Sequence, residues 1–380
     1  MGTTQTALYI HIPFCTQKCC YCGFYSEPVS EHDPGRVVNA IIKEMKSYDP
    51  VAGVGTAYIG GGSPSCLPAE DLFGLVKEVT SRFNTAAEFT VEVNPSQADE
   101  MLLTELRKLK VNRLSIGAQS FNQSELDFLG RDHRPEDIES AVIASRKAGF
   151  ENIGLDLIFA IPDSRDDLLS RSLRSAFYLG PQHISAYSLS YERDTPLEAD
   201  REAGKIIPVN EEADRGQYEF VIDECSRAGF EQYEISNFAR GGFTCEHNLN
   251  YWANRSFIGI GPSAGSYYNG KRTKNIADIS KYVNAIENNE SPIIETQRPD
   301  DTEIVCETAV LNLRRIEGIV LEEFKTETGC DAMVFFAEPI EKYHRLRLLD
   351  IAKGRVFLTR KALPIADSVL CDFSTVEQGF

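Results

Sequence analysis

Three cysteines near the N-terminus are the residues best suited to inorganic chemistry. Cys15, Cys19 and Cys22 follow an apolar run with the spacing CxxxCxxC. A short loop with this spacing can place three thiolates around one four-iron, four-sulfur cluster, which leaves one iron without a protein ligand. An iron of this kind is a place where a cofactor or substrate binds. The spacing therefore predicts a [4Fe-4S] cluster with one open corner.

Two other interpretations of these cysteines are open at this point. A structural zinc site wants four ligands, usually in two separated pairs, and only Cys20 and His11 lie close enough to supply a fourth. Alternatively, the thiols are buried packing residues. The position of the loop directly after a predicted strand favours the cluster, because chemistry in βα barrels collects at strand ends.

Further polar and glycine-rich residues stand at or just before the ends of predicted strands: Gly60-Gly61-Gly62, Glu92, Gln119 and Asp156. A carboxylate in an otherwise apolar strand is costly unless it is paired or faces a ligand. For Glu92 and Asp156 the alternative is a structural salt bridge with a neighbouring Arg or Lys. For the glycines, which lack the Cβ that would block a ligand, the alternative is a mere tight turn.

The elements that must position these residues alternate between short β-rich runs and amphipathic helices. We predict the strands Ala7–Ile12, Thr56–Ile59, Glu88–Val93, Arg113–Ile116, Asn152–Ile158 and His183–Leu189. We predict helices between them, among which are Arg36–Tyr48, Ala69–Phe83, Glu136–Ala148 and Asp166–Leu179. Such an alternation is typical of parallel strands joined by helical crossovers. The predicted fold class is α/β, with a partial TIM-type (β/α)6 barrel.

The pattern changes in the last third of the chain. A hairpin or an extension of the sheet is predicted for 233–252. Helices are predicted for Thr302–Leu313, Leu321–Glu327 and Met333–Leu346, and a strand for Gly354–Thr359, which together suggest a small, mostly helical, winged-helix-like domain. The predicted division is a barrel over 1–240, a sheet extension and connecting segment over 241–295, and a C-terminal domain over 296–380.

Composition narrows the function classes. The 380 residues are 42% hydrophobic and carry 39 basic and 57 acidic side chains, a formal charge of −18. This charge repels a phosphate backbone and argues against nucleic acid as the main partner. The first residues lack the layout of a secretory signal, and the chain has no apolar run of eighteen residues. The sequence therefore predicts a cytoplasmic protein.

Several ordered motifs carry a resemblance to a known family. They are Tyr9-Ile-His-Ile-Pro-Phe-Cys15, Gly60-Gly-Gly-Ser-Pro-Ser65, Arg113-Leu-Ser-Ile-Gly-Ala-Gln-Ser-Phe121, Leu129-Gly-Arg131 and His247-Asn-Leu-Asn-Tyr-Trp252. They resemble the radical S-adenosylmethionine superfamily and, more narrowly, the HemW family, which is close to the oxygen-independent coproporphyrinogen III oxidases. The resemblance covers nearly the whole chain.

The resemblance implies the cofactors and the residues around them. It implies that Cys15, Cys19 and Cys22 bind the [4Fe-4S] cluster and that S-adenosylmethionine chelates the open iron. The residues implied around this cofactor are Tyr9, Gly61, Gly62, Ser63, Glu92, Gln119, Arg131 and Asp156. Carboxylates and an amide suit ribose hydroxyls, and a guanidinium suits the cofactor carboxylate. Reductive cleavage of the cofactor to a 5′-deoxyadenosyl radical is the chemistry of this superfamily.

Two functions are implied by the two related families. One is an oxygen-independent coproporphyrinogen III oxidase, an enzyme of porphyrin biosynthesis that decarboxylates two propionates. The other is a chaperone that binds heme and transfers it to acceptor proteins, such as membrane-associated respiratory enzymes, with an electron donor for the cluster. The oxidases resemble CxxxCxxCxC, whereas the chaperones carry an aromatic residue at the last position, which here is Phe24. This residue favours the chaperone.

Candidate heme contacts are less determined. His247 suits iron as an axial ligand, with Cys245 as a second possible donor, but local packing beside Tyr251 and Trp252 is the alternative that the sequence favours. The basic residues Lys271, Arg272 and Lys274 suit heme propionates, or else they form a solvated hairpin tip.

Three positions depart from the family pattern. Cys20 and Gly23 stand where proline and aspartate are more usual, and Gly265 stands where the family resemblance implies a histidine.

Overall fold

The structure is a computed structural model, and it describes residues 6–48, 54–83, 87–164 and 166–374. The first five residues, on which the expectation of a missing secretory signal depends, lie outside this range. Among the described residues, no helix is both long and apolar enough to span a membrane.

A twelve-stranded sheet forms the centre of the fold. The strands of the chain are β1 (Thr6–Ile12), β2 (Phe14–Cys15), β3 (Glu27–Pro28), β4 (Val54–Gly61), β5 (Glu88–Val93), β6 (Arg113–Gln119), β7 (Asn152–Phe159), β8 (His183–Ser188), β9 (Glu231–Gln232), β10 (Asn237–Ala239), β11 (Phe257–Ile260), β12 (Gly265–Tyr268), β13 (Lys271–Asn275), β14 (Ile293–Gln297), β15 (Ile319–Val320), β16 (Leu349–Ala352) and β17 (Arg355–Leu358). In the sheet the order is β14-β13-β12-β11-β1-β4-β5-β6-β7-β8-β10-β9. The six predicted strands therefore lie side by side.

Parallel pairing runs continuously from β1 through β4, β5, β6, β7 and β8. Strand β11 adds a further parallel strand beside β1, and β10 closes the other side antiparallel to β8. This arrangement confirms the partial (β/α)6 barrel. We call the end where β1 and β4–β8 finish the barrel mouth, and the end where they start the barrel floor.

Helices between the barrel strands pack on the outer face of the sheet, and other helices lie at the barrel floor and in the C-terminal part. They are α1 (Pro34–Ser47), α2 (Ala69–Phe83), α3 (Glu100–Lys108), α4 (Gln123–Leu129), α5 (Pro135–Lys147), α6 (Asp166–Leu179), α7 (Pro196–Glu202), α8 (Glu211–Arg227), α9 (Glu246–Trp252), α10 (Ile279–Glu287), α11 (Asp301–Arg314), α12 (Leu321–Thr328), α13 (Ala332–Phe335), α14 (Ala337–Arg345) and α15 (Ala366–Ser374). Local signals set several starts. Asp33 accepts a hydrogen bond from the N–H of Arg36, and Pro34 occupies the first turn of α1.

The two faces of the barrel strands have opposite chemistry, because successive side chains of a strand point to opposite sides. One face is apolar and belongs to the main core with the helices; its residues include Leu8, Ile10, Ile12, Ala57, Ile59, Phe89, Val91, Leu114 and Ile116. The alternate positions are polar and include Tyr9, His11, Thr56, Tyr58, Glu88, Thr90, Glu92, Arg113, Ser115, Asp156 and His183. The barrel interior therefore differs from the branched apolar filling that is usual in complete βα barrels.

The C-terminal part contains α11–α15 and a three-stranded sheet of order β15-β17-β16. This agrees with a small, mostly helical domain. The predicted helix Met333–Leu346 is wrong as one element, since it is divided into α13 and α14 at Phe336. Pro339 explains the division: it has no N–H for the carbonyl of Phe335, and its ring would collide with that carbonyl in a continuous helix.

In the segment 233–252, β10 extends the sheet beside β8, as one of the two predicted alternatives requires, but the part from Glu246 onward is helical. The segment contains the short strand β10 and then the helix α9, which carries His247 and Trp252. The carboxylate of Glu88, at the start of β5, accepts the N–H groups of Glu246 and His247, both at 3.1 Å. A cap from so distant a residue leaves no local signal in the sequence. The boundaries predicted at 240 and 295 stay predictions; β11–β14 continue the same sheet as the barrel strands.

Candidate functional site

The cysteine loop leaves β1 and crosses the barrel mouth. Cys15 ends β2, and Cys19 and Cys22 follow in the loop, all three partly exposed free thiols. Two backbone bonds fix the middle of the loop to neighbouring elements: the N–H of Cys20 donates to the Leu129 carbonyl at 3.3 Å, and the Cys20 carbonyl accepts from the N–H of Leu197 at 2.9 Å. The protein fold itself therefore holds the loop in place.

Burial changes the acidity of two of these thiols. It raises the pKa of Cys15 and raises that of Cys22 to about 11. Both thiols are therefore protonated at neutral pH, and binding of iron as thiolates would release their protons. Among the described residues, no three His, Cys, Asp or Glu side chains converge on a point suitable for a single metal ion.

The two candidates for a fourth zinc ligand are both engaged elsewhere. Cys20 directs its Sγ away from the loop and donates to the Phe128 carbonyl at 3.2 Å, and it packs in a small apolar cluster around Leu129 and Leu197. The His11 Nε2 lies 2.8 Å from the Tyr25 carbonyl. A carbonyl only accepts, so Nε2 carries the proton and Nδ1 accepts from the Tyr9 hydroxyl at 2.9 Å. The donor set is thus three sulfurs, which fits a cluster with one open iron.

Arg131 lies against the cysteine loop. Its Nη1 donates to Cys19 Sγ at 3.4 Å, and its Nη2 donates to the Gly117 carbonyl at 2.9 Å. The third nitrogen, Nε, lies 3.3 Å from Nδ1 of His133. The guanidinium therefore places a positive charge beside a thiol that would become a thiolate. The role expected for Arg131, pairing with a cofactor carboxylate, stays a prediction.

The glycine turn at the end of β4 packs directly on the segment that carries Cys15. Gly61 has φ +105°, and a Cβ there would collide with the imidazole of His11. A Cβ on Gly62 would collide with the Phe14 carbonyl. The N–H of Gly62 donates to the Ile12 carbonyl at 2.8 Å, and the N–H of Ser63 donates to the Phe14 carbonyl at 2.6 Å. Since these N–H groups are used, the turn can offer a ligand mainly oxygen atoms.

Ser63 also belongs to a polar network at the rim. Its hydroxyl donates to Oε1 of Gln97 at 3.0 Å, and Ser65 donates to the same oxygen at 2.7 Å. Ser65 in turn accepts the N–H of Asn94 at 3.0 Å. The network therefore links the exit of β4 to the exit of β5 through side-chain hydrogen bonds.

Glu92 is held inside the mouth by two donors. The Tyr58 hydroxyl donates to its Oε1 at 2.7 Å, and the N–H of Gly61 donates to its Oε2 at 3.1 Å. Burial raises the pKa of Glu92 to about 7, against the lowering effect of those hydrogen bonds. A carboxyl group that is close to half ionised at neutral pH is typical of a functional site.

Asp156 and Gln119 complete the opposite side of the mouth. The Ser115 hydroxyl lies 3.2 Å from both carboxylate oxygens of Asp156, and burial raises the pKa of Asp156. Gln119 ends β6 with φ +61°, and a Cβ on Gly117 would stand only 3.0 Å from its amide nitrogen. In the described part of the chain, neither Glu92 nor Asp156 forms a salt bridge. The alternative of a structural ion pair therefore finds no support.

His247 lies at the other end of the barrel. It is 1% exposed, with Nδ1 at 2.8 Å from the Thr56 hydroxyl and Nε2 at 3.0 Å from the Tyr251 hydroxyl. Burial lowers the pKa of His247 to about 3, so the ring is neutral. Both ring nitrogens have protein partners, and neither is available to iron in this conformation. This geometry favours the packing alternative over heme ligation by His247.

Two of the other candidate heme contacts, Cys245 and Arg272, are engaged as well. Cys245 is buried, its Sγ donates to Glu88 at 3.4 Å, and burial raises its pKa to about 12. Arg272 pairs with Glu307, donates to Asn254 at 3.1 Å and lies over the Tyr267 ring. The side chain of Arg272 therefore ties the sheet extension to α11.

We call Thr56, Glu88, Cys245, His247 and Tyr251 the floor cluster.

The sequence analysis missed Tyr58 and Ser115, and it named His11 only as a possible zinc ligand; all three hydrogen-bond to predicted site residues. A signal for them is present. Each stands two residues before or after another inward-facing position of its strand, so the alternation of polar and apolar residues would have found them.

Comparison with known proteins agrees with this geometry. The pattern of the Radical SAM superfamily matches residues 9–174, and that of the HemN C-terminal domain matches residues 300–365. The solved structure of the radical SAM enzyme coproporphyrinogen III oxidase (HemN) from Escherichia coli superposes with a TM-score of 0.84 and 20% identity, over 98% of this chain and 90% of that one. At this identity the superposition shows the fold alone.

Curated relatives are more similar in sequence. A protein of Lactococcus lactis named heme chaperone HemW is 31% identical over 367 residues, which are 96% of both chains. The protein of the same name from Bacillus subtilis is 32% identical, over 96% of this chain and 98% of its own. The one from Escherichia coli is 36% identical over 68% of this chain and 69% of its own. The chain therefore belongs to the HemW family of the radical SAM superfamily.

Proposed function

We propose that the protein is a heme chaperone that holds a [4Fe-4S] cluster and S-adenosylmethionine at the barrel mouth. The observation that carries the proposal is the similarity, over 96% of the chain, to relatives named heme chaperones. The mouth supplies residues of the right chemistry: three free thiols in a fixed loop, and two partly buried carboxyls without salt bridges in the described residues. We place its work in the cytoplasm, on heme acceptor proteins that include membrane-associated respiratory enzymes.

Each part of the mouth has a defined task in this proposal. Cys15, Cys19 and Cys22 bind three irons, and Arg131 offsets the negative charge that collects at Cys19. When bound, the cluster and S-adenosylmethionine supply one-electron chemistry at the sulfonium, given an electron donor. The protein holds and orients these groups and excludes water from them.

The amino-acid end and the ribose of S-adenosylmethionine require different partners. Oxygens of the Gly61–Ser63 turn accept from the ammonium group, because the N–H groups of this turn are already used. The carboxylates of Glu92 and Asp156 accept from ribose hydroxyls. Tyr9 and Gln119 lie beside them as further polar contacts. The assignment of each group to one end of the cofactor is part of the proposal.

Heme is the cargo in this proposal, and His247 is not assigned as its ligand. Phe24, two residues after Cys22 in the loop region, is 65% exposed. It stands at the position of the fourth cysteine in the CxxxCxxCxC pattern of the oxidases, and it adds an apolar surface beside the mouth. This residue supports the chaperone over the oxidase.

The proposal is tested with protein reconstituted anaerobically. About four irons per chain and saturable binding of heme, followed by the Soret band, are the expected results. The same preparation is then given coproporphyrinogen III, a reductant and S-adenosylmethionine. Formation of protoporphyrinogen would show the oxidase function in place of the chaperone function, and absence of saturable heme binding would reject the chaperone function.

A further inference from the structure

The floor cluster is connected to the cofactor site through Tyr58. The imidazole of His247 packs on the ring of Tyr58, with centroids 5.1 Å apart and ring planes inclined by 31°. His247 is in turn fixed by the hydroxyl of Thr56, two residues before Tyr58 on the same strand. A tyrosine ring supported in this way has little freedom to tilt, which fixes the position of its hydroxyl.

That hydroxyl reaches the group most central to the mouth. It donates to Oε1 of Glu92 at 2.7 Å, while Oε2 accepts the N–H of Gly61. Burial raises the pKa of Tyr58 well above its usual value, so the phenol remains a donor at all working pH values. The contacts therefore run without a break from His247 to Tyr58, to Glu92 and to the glycine turn.

The helix that carries His247 is itself supported from the C-terminal domain. The carbonyl of Trp252 accepts from Nδ2 of Asn312 at 3.1 Å, and the guanidinium of Arg314 lies 4.7 Å from the centroid of the Trp252 ring. Together with the cap by Glu88, these contacts hold α9 at both ends.

We infer that Tyr58 and His247 are positioning residues, which hold the Glu92 carboxylate and the glycine turn in the arrangement that S-adenosylmethionine requires. This inference rests on the proposed function, because it takes Glu92 to be a contact of the cofactor. It assigns the motif His247–Trp252 to support of the cofactor site from the floor and from the C-terminal domain. Ligation of heme iron by His247 would require one of its two ring nitrogens to give up its hydroxyl partner, Thr56 or Tyr251.

The decisive variant is Tyr58→Phe, which keeps the ring and removes only the hydroxyl. We expect the affinity for S-adenosylmethionine, measured by equilibrium dialysis on reconstituted protein, to fall about tenfold at pH 6 to 7. The loss should shrink as the pH rises to 9. Without the Tyr58 donor, Glu92 ionises at higher pH, and the carboxylate needed by the ribose hydroxyl forms later.

The pH dependence has a defined electrostatic setting. Four ionisable side chains from neighbouring strands face Glu92 of β5: Tyr58 on β4, Tyr9 on β1, Asp156 on β7 and Arg113 on β6. The carboxyl of Asp156 raises the pKa of Glu92, and the guanidinium of Arg113 lowers it. These groups are the same in wild type and variant, so the ratio of the two affinities isolates the hydroxyl. In a Glu92→Gln background, Tyr58→Phe should change the affinity for S-adenosylmethionine by a factor that does not depend on pH, because the titrating carboxyl is absent.

The possible outcomes separate the inference from the function on which it depends. The positioning role would be overturned if wild type and Tyr58→Phe bound S-adenosylmethionine equally at every pH. It would also be overturned if the variant lost the same affinity at every pH, because a packing role predicts an effect that does not depend on pH. Failure of the wild-type protein itself to bind S-adenosylmethionine would reject the proposed function, and the inference with it.

A second variant tests His247 without relying on Tyr58. We expect His247→Ala to weaken binding of S-adenosylmethionine while the Soret titration with heme keeps the midpoint and stoichiometry of the wild type. His344→Ala is the matched control, because His344 has an exposed side chain on α14. Loss of the Soret signal with unchanged cofactor affinity would make His247 a heme ligand and overturn the inference. If His247→Ala does not fold, the result with Tyr58→Phe decides.

Discussion

The mouth and the floor of the barrel contain the same kinds of residue in different states. At the floor, Glu88 accepts from two N–H groups and a thiol, and both nitrogens of His247 are paired. At the mouth, the thiols of Cys15 and Cys22 are partly exposed and have no disulfide partner. Polar groups whose donors and acceptors are all paired within the protein stabilise the fold, whereas groups that keep a free donor, acceptor or thiol can bind a ligand. Partners and exposure, more than residue type, therefore separate the two regions.

Removal of the three mouth cysteines should have the largest effect. Replacing Cys15, Cys19 and Cys22 by alanine removes every proposed iron ligand, so iron after anaerobic reconstitution should fall from about four per chain to about zero. Cys20→Ala is the matched control and should retain the iron, because the Cys20 thiol faces the Phe128 carbonyl. Iron content is measured by metal analysis and by the visible absorption of the cluster. Equal loss in the control would show that Cys20 is a ligand.

The second prediction concerns the stability cost of Glu92. The pKa of this carboxyl is raised from 4.5 to about 7 in the folded state. Below pH 4.5 the group is protonated in both states and costs nothing. Between pH 4.5 and 7 it ionises only when unfolded, so stability falls as pH rises, by about 3 kcal/mol in total.

Glu92→Gln should remove this cost. Relative to wild type, the variant should therefore gain about 3 kcal/mol of unfolding free energy between pH 4.5 and pH 8. Denaturant unfolding of both proteins, without ligand, measures this difference. Parallel pH curves would show that Glu92 is ionised normally. Glu44, whose pKa burial also raises to about 7, is present in both proteins and cancels in the comparison.

The glycine turn gives the third prediction. Gly62→Ala places a Cβ against the Phe14 carbonyl and should lower the unfolding free energy by about 2 to 3 kcal/mol. Gly216→Ala is the control: it lies inside α8 with no atom within 4 Å of the added Cβ, and it should stabilise the protein by up to about 1 kcal/mol. Chemical denaturation measures both. Equal effects would mean that the turn can relax and is not held by the cysteine segment.

The smallest predicted effect is at the floor. Glu88→Gln replaces one of the two accepting oxygens with a donor that opposes the N–H groups of α9, and should cost about 2 kcal/mol of stability. Iron content at the mouth should be unchanged. Glu246→Gln, an exposed change on the same helix, is the control and should be close to neutral. A loss of iron in Glu88→Gln alone would show that the floor also controls assembly of the cluster.

The sequence predicts the barrel strands well because each carries its own pattern. Strand β5 is predicted with its observed limits, as are helices α2 and α6. The floor is different. Helix α9 depends on Glu88, 158 residues earlier, so a local pattern cannot show it.

The candidate site divides in the same way. The spacing of Cys15, Cys19 and Cys22 indicates the loop directly, and the carboxylates Glu92 and Asp156 are conspicuous in apolar strands. The environment of His247 is not encoded nearby: its partner Thr56 is 191 residues away. Sequence reasoning therefore identifies the residues of the mouth and leaves the role of His247 open until the tertiary contacts are known.

The pairing of β1 with β11 affects how the chain folds during synthesis. Strand β1 leaves the ribosome well before one of its two neighbours, because β11 (Phe257–Ile260) is synthesised about 250 residues later. Until then, β1 has one unpaired edge, which is an aggregation hazard. Contacts of such long sequence separation also slow folding. The nascent chain would therefore benefit from a holding factor during the interval between the two strands.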